Sequence, residues 1–174
     1  AFFDKNSIRR SVVTTKTQTI VFVTIDVGNS NALKPVAEKA RAHGHHVMEF
    51  YGQGKLFPDE TITAIQNNLY QADWLIVSLS SSEEKARMEG TFMSFATKNA
   101  VKTLILSDID GMMFRSRWCK WSARKAHTVT VVNESEVAWA RQYVRSTTPI
   151  VHVPNPSWIS NFNVTKQREE VRCL

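Results

Sequence analysis

Short β-branched apolar runs, each followed by a stretch of helical periodicity, fill the middle of the chain and limit what it can fold into. TIVFVTID (19–26) is the first run. It is apolar without alternation, as a strand buried on both faces of a parallel sheet must be. After GNSN comes LKPVAEKARAHG (33–44), where Leu33, Val36, Ala37 and Ala40 recur at helical spacing. This predicts a helix with Pro35 in its first turn, where a missing N–H costs nothing, and Gly44 at its stop. The unit then repeats: strand 46–52, helix 60–72, strand 74–80, helix 83–99, strand 101–108. Beyond a basic and aromatic stretch come strand 127–133, helix 134–144 and strand 150–153, closed by a PNP turn. Strands alternating with helices at this pitch mean βαβ units with right-handed crossovers.

The fold expected is α/β: an open doubly wound, mostly parallel sheet of about six strands with helices on both faces, a Rossmann-like three-layer sandwich over 19–158. Residues 1–18 show no sustained period and read as a basic N-terminal arm, and 159–174 as a tail or a last helix. A chain of 174 residues can bury most of its apolar surface in one core. No apolar run approaches the roughly 18 residues of a spanning helix, and AFFDKNSIRR lacks the pattern of a signal peptide. The two cysteines, Cys119 and Cys173, form no CxxC pair, which excludes a disulfide scaffold or zinc ribbon and makes the cytoplasm the expected location. A net charge of +6 favours an anionic partner.

In such a sheet, ligands bind beyond the carboxyl ends of the strands. Asp26 and Asp108 each end a strand there and are the candidate catalytic bases. The first loop offers Gly28, Asn29 and Ser30 for a phosphate or sugar, or serves as a tight turn capped by Ser30 or Asn31. The third loop offers Ser80, Ser81 and Ser82 in the same way; Ser81 with Glu84 also fits a capping box. No cofactor is expected. HGHH (43–46) has no carboxylates at metal-site spacing, so no metal is expected either. In MMFRSRWCKWSARKAH (112–127), Arg115, Arg117, Lys120 and Arg124 interleave with Trp118 and Trp121. This suits an anionic membrane surface or a phosphorylated ligand, or else a surface helix with its tryptophan face turned into the core. No RNA- or DNA-binding motif accompanies it, so nucleic acid is not an expected partner.

Two resemblances sharpen these expectations. ILSDIDGMMF resembles the first motif of haloacid-dehalogenase-type phosphatases, D-x-D-G, which implies Asp108 as nucleophile and Asp110 as acid around magnesium. Those enzymes need further acidic ligands on a later strand, yet after Asp110 the only acids are Glu134, Glu136, Glu169 and Glu170. More of the chain resembles the N-terminal half of GT-B-type glycosyltransferases. The segments that do so are Gly28 through LKPVAEKARAHGHHVMEFYG, then ADWLIVSLSSSEE, then AHTVTVVNESEVAWA with PIVHVPNP. The resemblance spans about 19–158 and implies the acceptor-side half of a two-domain enzyme. Gly28–Ser30 and Ser80–Ser82 would face the cleft, and a sugar or phosphorylated acceptor would bind there. The nucleotide-sugar would be held by a donor-binding domain or partner chain not in this sequence. Peripheral membrane attachment through the basic-aromatic stretch is part of the same implication. The alternatives are a stand-alone nucleotide- or phosphate-binding domain and the magnesium-dependent phosphatase.

Overall fold

The computed structural model describes residues 16–157. Most of the expected arm and all of the expected tail lie outside them. The described chain runs β1 (Thr19–Thr24), α1 (Val27–Ala42), β2 (His46–Tyr51), α2 (Asp59–Leu69), β3 (Trp74–Val77), α3 (Glu83–Lys98) and β4 (Lys102–Ile105). A 3-10 turn at Met112–Phe114 precedes α4 (Arg117–Lys125), β5 (Thr128–Val131), α5 (Glu136–Ala140) and β6 (Ile150–His152). All six strands are parallel, in the order β2-β1-β3-β4-β5-β6. The expected doubly wound α/β sheet is therefore present, with the reversal of winding between β1 and β3.

That reversal distributes the helices. The chain crosses first from β1 outward to β2 and then back past β1 to β3, so successive crossovers of one hand put α1 alone on one face. Ile20, Phe22 and Ile76 meet Ala32, Leu33 and Ala37 of α1 there. Val21, Val23, Leu75, Val77 and Ile105 point the other way, against Ile65 and Leu69 of α2, Phe92 and Met93 of α3, and Ala123 of α4. Leu75, Val77 and Ile105 have no solvent exposure, which is why their runs are continuous rather than alternating.

The first helix departs from expectation. It begins at Val27, so the expected loop Gly28–Ser30 is its first turn, and Pro35 lies inside it rather than in a first turn. An interior proline removes a hydrogen bond to the carbonyl four residues back and crowds it. Here the burial of Ala32, Leu33 and Ala37, all at zero exposure, outweighs that loss. The stop is as expected: Gly44 has φ +82°, its N–H donates to the Arg41 carbonyl, and the His45 N–H donates to Ala40, a Schellman ending.

Helix α4 crosses α3 at Gly90. A Cβ there would stand 3.0 Å from Ser122 Oγ, 3.6 Å from the Trp121 ring and 3.8 Å from the Trp118 ring. Trp118 and Trp121 stack edge to face, with ring centroids 5.6 Å apart, over this seam. Gly90→Val should therefore push α4 off α3 and cost about 1–3 kcal/mol, seen as a lower denaturation midpoint and red-shifted tryptophan emission.

Candidate functional site

The strand order reverses beside the carboxyl ends of β1 and β3, and several buried polar side chains gather there. Three chain segments are tied together by one side chain, Glu89. It lies on the inward face of α3 with no solvent exposure. Its Oε1 accepts from the Ile25 amide at 2.8 Å, the Ser80 hydroxyl at 2.8 Å and the Thr24 hydroxyl at 3.4 Å, and its Oε2 accepts from the Ser80 amide at 2.6 Å. A carboxylate holding two backbone amides and two hydroxyls fixes the ends of β1 and β3 relative to α3. Burial still outweighs those bonds and pushes the Glu89 carboxyl up to about 7, with the nearby Asp26 charge adding to the rise.

Asp26 and Asp108 both lie at this edge, after β1 and β4, and the charge of Asp26 reaches Asp108. Asp26 is half-buried and caps the start of α1 without a side-chain cap bond. Its Oδ1 instead accepts from Lys85 Nζ at 2.5 Å, an ion pair across to α3. Asp108 is only 7% exposed, and its Oδ1 has no hydrogen-bond partner. Burial pushes its carboxyl above the usual range. Its own amide and the Arg115 charge oppose the rise, and the Asp26 charge adds to it. Asn155 Nδ2, from the PNP turn after β6, donates to the Asp108 carbonyl and holds the loop in place.

The other expected site residues separate into used and free groups. Ser80 is buried and its hydroxyl is committed to Glu89, so it is not open to a ligand. Ser81 and Ser82 are exposed. The expected capping box does not form: the residue before α3 is Ser82, not Ser81, and its side chain makes no cap bond. Gly28 is exposed, and a Cβ there would meet no protein atom within 4 Å, so no neighbouring part of the chain requires a glycine. Ser30 does not cap α1 but donates back to the Val27 carbonyl at 2.7 Å. Exposed Asn31, within α1, does not cap it either. Asn29 is 6% exposed, and its Nδ2 lacks a partner.

In the basic-aromatic stretch, Ser116 caps α4 by accepting from the Cys119 amide at 3.1 Å. The Cys119 thiol, pushed up by burial, points at the Ser80 carbonyl 3.7 Å away. Trp118 and Trp121 are half-buried against α3, so the tryptophan face is a packing face. Arg117 pairs with Glu83 at 2.5 Å, and Lys120 sits 5.6 Å from the Tyr143 ring centre. Arg115 and Arg124 are exposed.

Among the described residues, no three His, Cys, Asp or Glu side chains converge so as to hold a metal ion. His43 and His45, from HGHH, bond to backbone instead, at the Lys39 carbonyl and the Gln18 amide. Asp110, the second acid of the D-x-D-G match, is exposed whereas Asp108 is buried. No helix among the described residues is long and apolar enough to cross a membrane. No protein-family model matches the chain, and no curated protein matches it.

Sequence reasoning missed Glu89 and Lys85. A signal for Glu89 was present: Ala86, Glu89, Met93 and Ala96 recur at helical spacing, so a carboxylate sits in the middle of an apolar stripe. Nothing local marks Lys85, whose partner is Asp26, 59 positions away.

Proposed function

We propose that the crevice beyond β1, β3 and β4 binds a hydroxyl-bearing small molecule, a sugar or sugar phosphate, and that the domain is the acceptor side of a sugar transfer whose donor-binding half lies elsewhere. The observation that carries this is the Asp108 carboxyl, nearly buried at the carboxyl edge of the sheet and close enough to Asp26 to feel its charge. Raised toward neutrality by burial, the same group suits a base that takes the proton from an acceptor hydroxyl as it attacks. Asp26 and Lys85 would position the ligand, and Arg115 supplies a cation for a phosphorylated one. The resemblance to the acceptor half of GT-B-type enzymes supports the same reading.

Isothermal titration with monosaccharides, sugar phosphates, nucleotides and nucleotide-sugars tests it. A sugar or sugar phosphate should bind, and Asp108→Asn should weaken it about tenfold through loss of a charge-assisted hydrogen bond. Equal binding by parent and Asp108→Asn would remove the reading. Nucleotide binding without sugar binding would favour a stand-alone nucleotide-binding domain.

A further inference from the structure

On the outer side of α3, away from the Asp26–Asp108 crevice, lies a groove of about 420 Å³ walled by α2 on one side and α4 on the other. That volume is in the range of small-molecule sites. Its floor is Ile62, Met88, Phe92 and Trp118, with Leu56 at one end. The walls come from three helices anchored to one sheet face, so the groove is preformed. One feature points to an occupant with a charged head. Among the described residues no carboxylate pairs with the guanidinium of Arg87, which stands exposed on the rim one turn from Glu84. The Arg87 guanidinium calls for an anionic head, and the thioether and rings of the floor suit a flat apolar body.

We infer that this groove binds a small organic anion, with a flat apolar body against Met88, Phe92 and Trp118 and an acidic head at Arg87. This site stands apart from the crevice and does not depend on the sugar reading. The probe is 1-anilinonaphthalene-8-sulfonate, a flat bicyclic anion, compared with N-phenyl-1-naphthylamine, the same ring system without the sulfonate. Both dyes should bind the folded protein saturably with blue-shifted emission. Arg87→Gln should weaken the sulfonate about tenfold and leave the neutral dye unchanged. Thr91→Trp, on the exposed wall of the groove, should abolish both, and Gln66→Trp should do so from the facing wall. Circular dichroism and melting would verify that the variants remain folded. Asp108→Asn should leave both dyes unaffected, which separates this site from the crevice. No saturable binding, full binding in both tryptophan variants, or equal weakening of the two dyes by Arg87→Gln would overturn the proposal.

Discussion

Glu89→Leu should cost the domain about 3–5 kcal/mol, because it strips the acceptors from two buried backbone amides and the Ser80 hydroxyl at once, while Thr24 keeps the Ser78 carbonyl. Leucine is apolar and of similar size, so the loss is not a cavity effect. The Ile25 and Ser80 amides would be left buried without partners. Glu89→Gln should cost less, since its carbonyl oxygen still accepts on one side while its amide group faces the Ser80 N–H, donor against donor. The two variants also separate in pH. In the folded chain the Glu89 carboxyl is raised to about 7 from an ordinary 4.5, so the native state holds this proton more tightly than the unfolded state does. The contribution is fully present below pH 4.5 and is lost as pH rises through 7. The shift is worth on the order of 3 kcal/mol across that window. Urea midpoints between pH 4.5 and 8 should fall with rising pH in the parent and lose that component in Glu89→Gln. A parent whose stability is flat, or rises, across this window would contradict the account.

The same residue shows where sequence reading stops. Every strand, and every helix but α4, which was read only as an alternative for the basic-aromatic stretch, was legible, because hydrophobic periodicity is local and each element buries its own face. Asp26 and Asp108 were legible as well, since a parallel sheet delivers the residue after each strand to one edge. Glu89 was hidden by its setting in EEKARMEG, which looks like a solvated helix start. Only its register with Ala86 and Met93 places it inward. The start of α1 was hidden for the opposite reason. DVGNSN has turn composition and Pro35 marks a helix boundary by local rules, but burial of the Leu33 face against Phe22 and Ile76 overrides both. Ser80 was rightly placed at the edge yet misread in role, because its hydroxyl is taken up by a residue on the following helix. The groove could not be read at all: its walls come from α2, α3 and α4, and no single stretch of sequence contains it.

Gly52→Ala should destabilise the domain by about 2–3 kcal/mol through steric overlap. The turn after β2 folds back onto the end of β1: the Gly52 N–H donates to the Thr24 carbonyl, and the Gly54 N–H donates to the Ile25 carbonyl. A Cβ on Gly52 would stand 2.6 Å from the Lys55 carbonyl oxygen and 3.2 Å from Ile25 Cα. Both are backbone atoms, so no rotamer change relieves the contact. Gly54→Ala makes the control. Its Cβ meets nothing within 4 Å, and only the left-handed φ of +84° opposes it, so the cost should be about 1 kcal/mol. Gly52 differs from Gly54 in one further respect. Pushing the turn away displaces Ile25, whose amide is one of the two that Glu89 holds. Gly52→Ala and Glu89→Leu thus damage the same strand end from opposite sides, and the double variant should lose less than the sum of the single losses. Strict additivity in that cycle would mean that the turn and the buried carboxylate act independently, and that Glu89 does not hold the end of β1 in place.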